Sequence, residues 1–173
     1  MLWETRGGRY MTLQLSQKEK QLLQDQQSHE KVCIQKYQSN AQQASDPQLK
    51  QLFQSYAQQE QQHLNTLTSI LNGQVPSMSQ GQQSQQAQQS QLTQQSSTQT
   101  TSAAASSSAS QADAMLCSDM LMTEKFVSGA YDSAIFESAD SSVRQALNHI
   151  QKEEQEHGEG IYNYMSSNGM YSS

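Results

Sequence analysis

The chain has 173 residues, an apolar content of 34% and a formal net charge of −6, which suits one domain of modest core size. Its acidic balance, with a pI near 5.1, argues against nucleic acid as a partner. No apolar run approaches the roughly 20 residues that a membrane span requires, and no basic amphipathic segment indicates a membrane surface. Outside a polar middle tract, apolar residues recur with helical period, so two helical segments are predicted to share one core.

Residues 1–10, with the sequence MLWETRGGRY, follow no helical period and hold the chain's one Trp. The run Arg6-Gly7-Gly8-Arg9 can be encoded by purine-rich codons that resemble a bacterial ribosome-binding site, and Met11 follows it. We therefore expect Met11 to be the biological start and residues 1–10 to be a non-native leader. A short disordered tail is the alternative.

A first helical hairpin is predicted over residues 11–73. Its first helix runs from about Ser16 to Ala44 and opens with a capping box, in which Ser16 and Glu19 occupy the S-x-x-E positions. Asp46-Pro47 starts the second helix, which runs to about Leu71 and ends at Asn72-Gly73. The predicted inward positions are Leu23, Gln26, Glu30, Cys33, Tyr37, Asn40 and Ala44, then Leu49, Leu52 or Phe53, Tyr56, Glu60, His63, Leu67 and Ile70.

Residues 74–112 are almost entirely Gln, Ser, Thr and Ala. Such a tract buries too little apolar surface to offset the entropy of ordering, so we predict a disordered linker. Its length would allow it to cross the whole length of a helical bundle. Adhesion or cross-linking through the Gln side chains is the functional alternative.

A second helical hairpin is predicted over residues 113–173, with its first helix from about Asp113 to Ser138. Asp140 caps the last helix, which ends at about Ser167 before Asn168-Gly169. The short turn inside each hairpin makes its two helices antiparallel. The predicted inward positions are Cys117, Met120, Glu124, Val127, Tyr131, Ala134 and Ser138, then Val143, Leu147, Ile150, Glu154, His157, Ile161 and Tyr164.

A set of three ligand-type residues occurs twice, at an offset of 94 residues (124−30, 154−60 and 157−63). Each hairpin carries one Glu on its first helix and a Glu-x-x-His motif on its second, which is the ligand pattern of a four-helix di-metal carboxylate site. Because residues i and i+3 share a helix face, all six can lie on the inward seam. Two divalent ions would balance four buried carboxylates that otherwise repel one another. The predicted metal ligands are Glu30, Glu60, His63, Glu124, Glu154 and His157.

The remaining titratable residues allow two interpretations each. Tyr37 and Tyr131 either pack in the core or donate hydrogen bonds to the metal ligands, with a redox role as a further alternative. His29 and His149 are expected at the surface or beside the ligands. Glu153, Glu156 and Glu159 are expected on a solvated face, and the two cysteines are expected to be reduced core thiols, with a disulfide as the alternative.

The second half of the chain resembles the Coat F family of bacterial spore coat proteins, over about Leu116 to Tyr171. The resemblance lies in the run VRQALNHIQKEEQEHGE and in the ending NGMY, while the first half, with DPQLKQLFQSYAQQEQQHLN, looks like the partner half of such proteins. It implies a ferritin-like four-helix fold, which agrees with the all-α bundle of two hairpins joined by a long low-complexity crossover that the residues predict. The Gln/Ser-rich tract itself departs from the ferritin-like pattern. The resemblance also implies synthesis in the mother-cell cytoplasm, deposition in the spore coat and other coat proteins as partners.

Three functions are therefore weighed. The first is a structural and assembly role in the spore coat, as a homo-oligomer, on a bundle that holds two divalent ions of iron or manganese. The second is a di-iron or di-manganese enzyme acting on peroxide or oxygen, resembling a rubrerythrin or a manganese catalase. The third is metal sequestration, which needs affinity without turnover. An enzyme is the less favoured of these interpretations, because the family has no assigned activity as a class.

Overall fold

The structure is a computed structural model that describes residues 13–74 and 105–171, and in these ranges it is all-helical. Helices α1 (Gln17–Gln43) and α2 (Pro47–Leu71) form the first hairpin, and α3 (Ala105–Glu137) and α4 (Ser141–Ser167) form the second. Within the described ranges, no helix combines the length and the apolar character that crossing a membrane demands. The predicted leader at residues 1–10 and the linker between 75 and 104 lie outside the described residues.

Side chains next to the turns fix the helix ends. Ser16 and Glu19 form the predicted reciprocal capping box at the start of α1. Asp46 and Asp140 cap α2 and α4 by accepting hydrogen bonds from backbone N–H groups of the first turn. Gly73, at φ 78°, follows the end of α2 in a backbone conformation that favours glycine.

Helix α3 begins earlier than the sequence indicates, at Ala105 rather than near Asp113. The second hairpin therefore takes in residues 105–112, which the sequence predicts as part of the disordered linker. The physical reason is the alanine content around Ala105, Ala109 and Ala112, because alanine has the highest intrinsic helix propensity.

The two hairpins pack so that the chain runs up, down, down and up. Helix α3 is antiparallel to α1, since Gln26 bonds to the Ala130 carbonyl while Lys36, further along α1, pairs with the earlier Asp119. Both α2 and α3 are thus antiparallel to α1 and parallel to each other. The end of α2 and the start of α3 therefore lie at opposite ends of the bundle, as in the single-crossover topology of ferritin-like folds. The predicted four-helix architecture is confirmed.

The core consists of two apolar clusters separated by a layer of polar side chains. One cluster includes Leu23, Leu67 and Leu147, and the other includes Tyr37, Phe53 and Met120. The predicted inward seam is confirmed with one exception: Tyr164 is only half-buried, and the neighbouring Met165 occupies the core. Both cysteines are buried and free, one in each cluster, so the reduced-thiol prediction is confirmed and the disulfide alternative is wrong.

Candidate metal centre

The six predicted ligand residues meet in the polar layer between the two apolar clusters. Each of the six is at most 2% exposed. Their oxygen and nitrogen atoms form two overlapping groups, within each of which the atoms lie inside 4.8 Å of one another. Glu60 and Glu154 belong to both groups. The first group is Glu30, Glu60, His63 and Glu154, and the second is Glu60, Glu124, Glu154 and His157.

Both imidazoles turn their Nδ1 atoms toward the carboxylates of this layer. His63 Nδ1 lies 2.9 Å from Glu154 Oε1 and 3.4 Å from Glu60 Oε2. His157 Nδ1 lies 3.2 Å from Glu60 Oε1 and 3.8 Å from Glu154 Oε2. Because each Glu-x-x-His motif places its two side chains on one helix face, each histidine faces both shared carboxylates.

The outer nitrogen of each imidazole has a partner that sequence reasoning missed. His63 Nε2 lies 2.9 Å from Glu153 Oε2, and His157 Nε2 lies 2.9 Å from Gln59 Oε1. Glu153 is only 8% exposed, so its prediction on a solvated face is wrong, whereas Glu156 and Glu159 are exposed as expected. Helical periodicity predicts an outward side chain at position 153. The hydrogen bond to His63 Nε2 instead holds the Glu153 carboxylate against the core. The 94-residue offset (153−59) could have found the pair.

Two tyrosines connect the hairpins at the polar layer. Tyr37 donates a hydrogen bond to Glu124, and Tyr131 donates one to Glu30, so each hydroxyl reaches a carboxylate of the other hairpin. Burial, followed by the charge of these carboxylates, raises the pKa of both tyrosines well above the ordinary value. Both therefore remain protonated donors at neutral pH, and they hold the two unshared carboxylates in place.

The other two histidines lie outside this layer. His29 is half-buried, near Gln26 and against the ring of Phe126. His149 is half-buried and its Nε2 lies 3.4 Å from Glu153 Oε1. His149 thus contacts Glu153, which is the outer partner of His63, whereas His29 contacts Gln26 and Phe126.

Burial dominates the electrostatics of the layer. It raises the pKa of Glu30 to about 8 and that of Glu154 to about 7, and it raises the pKa of Glu124 well above the ordinary value. Burial acts on Glu60 as well, but the nearby Nδ1 atoms of His157 and His63, at 3.2 Å and 3.4 Å, outweigh it and lower the pKa of Glu60. Burial opposes the charging of His63, yet its hydrogen bonds to carboxylates raise the pKa of this imidazole well above the ordinary value.

The polar layer has unsatisfied bonding capacity of the kind that a cation would use. Among the described residues, seven buried side-chain atoms have no hydrogen-bond partner, and all but Asn40 Nδ2 belong to this layer. Buried polar atoms are rarely left unpaired, because each one costs free energy. Carboxylate oxygens and imidazole nitrogens suit divalent iron or manganese, so the residues fit the predicted pair of ions. The six atoms are Glu30 Oε2, Glu60 Oε1 and Oε2, Glu124 Oε2, Glu154 Oε2 and His157 Nδ1.

The second hairpin matches a known protein family. The family model described as the Coat F domain matches residues 112–173, which span most of α3 and all of α4. No curated protein and no solved structure matches the chain significantly. The match begins and ends within a few residues of the stretch that carried the resemblance in the sequence. The second hairpin of this chain, with Glu124, Glu154 and His157, is thus similar to the Coat F domain.

Proposed function

We propose that the protein is a structural component of the bacterial spore coat whose four-helix bundle binds two divalent ions of iron or manganese. The Coat F match over residues 112–173 supports the location. The single observation that carries the metal site is the cluster of six buried, unpartnered ligand atoms between two hairpins of the same design.

The six layer residues would divide between two cation positions. Glu30 and His63 would serve one position, Glu124 and His157 would serve the other, and the shared Glu60 and Glu154 would serve both. Four ionised carboxylates in an apolar core require positive charge to be stable, and two divalent ions supply that charge. The bundle itself excludes water from the layer, while Tyr37 and Tyr131 fix the unshared carboxylates.

The metal content of protein purified without chelator tests this proposal. We expect about two iron or manganese ions per chain, and we expect their loss in Glu60→Ala/Glu154→Ala, because both shared carboxylates are removed. Glu156→Ala is the matched control, since Glu156 is exposed on the same helix as Glu154. If the wild-type protein binds neither metal and melts at the same temperature as Glu60→Ala/Glu154→Ala, the six residues are ancestral and the proposed metal site is wrong.

Fractionation of spores tests the location. We express a tagged form of the chain in a sporulating bacterium. We expect to find it in the insoluble coat fraction and not in the spore core. A version that lacks residues 112–173 loses the Coat F match and should fail to enter the coat. Equal incorporation of both forms would contradict a coat role for this hairpin.

A second candidate is an enzyme that acts on peroxide or oxygen, and the sharing of Glu60 and Glu154 by both ligand groups favours it. Two adjacent iron or manganese ions supply two-electron redox chemistry when they are bound. The chain's own contribution would be to exclude bulk water and to keep the hydroxyl protons of Tyr37 and Tyr131 directed at the unshared carboxylates.

Peroxide consumption by the metal-loaded protein distinguishes the two candidates. Consumption that is lost in Glu60→Ala or Glu154→Ala, and retained in Glu156→Ala, would support an enzyme. Protein that carries two ions per chain but stays inert with both metals would support a structural or sequestering role.

A further inference from the structure

We propose that the two cation positions of the centre are unequal, and that Glu153 makes the position served by Glu30 and His63 the tighter one. The proposal rests on the metal centre proposed above and adds a positioning residue to it. The carboxylate of Glu153 accepts a hydrogen bond from Nε2 of His63, whereas the neutral amide oxygen of Gln59 accepts the equivalent bond from Nε2 of His157.

The inequality is informative because the rest of the centre is repeated faithfully. All six ligand residues recur at the 94-residue offset, and so do Tyr37 and Tyr131, with their crossed hydrogen bonds. Gln59 and Glu153 occupy equivalent positions (153−59 is also 94), and each accepts from the outer nitrogen of the histidine on the opposite hairpin. The chain therefore retains the geometry of this contact in both halves and differs only in its charge.

The charge difference acts through the imidazole. A carboxylate that accepts the Nε2–H bond fixes the ring orientation, leaves Nδ1 free for the cation and makes that nitrogen a stronger donor. Removal of such an outer partner typically weakens metal binding about 10- to 100-fold. An amide oxygen fixes the same orientation but brings no negative charge, so the His157 position lacks this part of the attraction.

The surroundings of the two imidazoles strengthen the contrast. The other oxygen of Glu153 faces the half-buried His149. The adjacent Lys152 pairs with Glu156 and therefore does not draw the Glu153 carboxylate away from His63. His157 packs against the ring of Tyr56, with ring centroids 4.3 Å apart. The equivalent of Tyr56 in the other hairpin is Ile150, so the His157 position is also the more aromatic of the two.

Titration of chelator-treated protein with Mn²⁺ tests the proposal, with free Mn²⁺ followed by its paramagnetic resonance signal and heat by calorimetry. We expect the wild type to bind two ions in two steps whose affinities differ by about 10-fold or more. Glu153→Gln should weaken the first step about 10- to 100-fold and bring the two steps together. Gln59→Glu should strengthen the second step, and Glu156→Gln should change neither.

Each outcome has a defined meaning. Two ions that bind the wild type with equal affinity, or a Glu153→Gln variant with both steps unchanged, would overturn the inequality and leave the metal centre intact. Wild-type protein that binds no Mn²⁺ would overturn the proposed centre itself. If Glu153→Gln fails to fold, Gln59→Glu decides, because it adds a charge instead of removing one: a stronger second step supports the proposal and an unchanged one overturns it.

Discussion

At the scale of single residues, the most consequential feature is the concentration of ionisable groups in a buried layer. Glu30, Glu124 and Glu154 are buried acids whose pKa values are raised, and His63 is a buried base whose pKa is raised by the carboxylates around it. Without a cation, such a layer is most stable when it holds protons. With a cation, the same groups must release those protons, so metal and protons compete for the layer.

This competition predicts that the chelator-treated protein loses stability as the pH rises from about 5 to 8. The folded-state pKa is about 8 for Glu30 and about 7 for Glu154, so the folded protein holds protons that the unfolded chain has already released. The raised pKa of His63 also lowers the stability at pH values above the ordinary pKa of histidine, because there the folded protein keeps a proton that the unfolded chain has lost. Urea unfolding across this pH range measures the slope.

The control for this slope is the variant Glu30→Gln/Glu154→Gln, which keeps the shape of both side chains and removes both titrations. Its unfolding free energy should depend less on pH between 5 and 8, and the slope that remains comes from Glu124 and His63. In the wild type, saturation with Mn²⁺ should restore the stability that is lost at pH 8. Stability that rises with pH in the chelator-treated wild type would contradict the buried-acid assignment.

The tyrosine hydroxyls give a second prediction at this scale. Tyr131→Phe leaves Glu30 in the core without its donor, and a buried acceptor that loses its partner costs about 1–3 kcal/mol of unfolding free energy. Tyr162→Phe is the control, because Tyr162 is exposed on α4 and should change stability by less than about 0.5 kcal/mol. Equal effects in urea unfolding would show that the Tyr131 hydroxyl does not support Glu30.

At the scale of helices and turns, each hairpin is stabilised by the other. The Glu19 carboxylate of α1 accepts a hydrogen bond from Ala139 N in the turn of the second hairpin. The Asp113 carboxylate of α3 accepts from Ser45 N and Asp46 N in the turn of the first hairpin. These turn groups would be costly to leave unpaired, so the crossed contacts fix how the two hairpins dock.

Two glycines inside helices provide a matched pair of substitutions. A Cβ at Gly160 on α4 would overlap the hydroxyl of Tyr56, which packs against His157, so Gly160→Ala must displace that ring. A Cβ at Gly129 on α3 would meet nothing within 4 Å. We expect Gly129→Ala to stabilise the protein by about 0.5–1 kcal/mol and Gly160→Ala to destabilise it by about 1–3 kcal/mol.

Thermal unfolding in chelator measures both changes without any contribution from metal. Mn²⁺ titration of Gly160→Ala should also show a weaker step at the position served by His157, because the displaced Tyr56 ring supports that imidazole. Similar melting temperatures for the two variants would show that Tyr56 has room to move.

At the scale of the whole molecule, the parallel arrangement of α2 and α3 sets a minimum length for their connection. Helix α2 has 25 residues and is therefore about 37 Å long. The α2 helix ends near Leu13, where Leu13 N bonds to Gly73 O, whereas Asp113 of α3 contacts the turn between α1 and α2 at the opposite end. Because α3 begins eight residues before Asp113, the connection must span about 12 Å more than the length of α2, or about 49 Å. Fully extended chain covers about 3.3 Å per residue, so about 15 residues are the least that can close the bundle.

Replacement of residues 75–104 by shorter Gly/Ser linkers tests this topology. A 20-residue linker should leave the molar mass of the wild type and a nearly unchanged melting temperature, because loop closure depends weakly on length. A 5-residue linker cannot span the bundle and should force exchange of hairpins between two chains, which raises the molar mass. Light scattering distinguishes the two results, and a 5-residue variant with the molar mass of the wild type would contradict the up-down-down-up path.

Local sequence patterns predict much of this fold. The capping residues, the three- and four-residue periodicity and the 94-residue offset predict four helices, their inward faces and the six residues at the polar layer, because each of these signals acts within a few turns of helix. The sequence predicts the start of α3 too late, near Asp113, because the surrounding serine and glutamine residues are typical of a linker and outweigh the helix propensity of Ala105 and its neighbours.

The sequence by itself determined which side chains face the core and which of these are of the ligand type. Only the tertiary structure decided that Glu60 and Glu154 belong to both ligand groups, that Tyr37 and Tyr131 bond across the hairpins, and that Glu153 turns inward to His63. The physical reason is that periodicity fixes the direction of a side chain from its own helix, whereas a hydrogen bond between helices depends on how the two hairpins dock. At Glu153 that bond outweighs the outward direction which the helix alone would give.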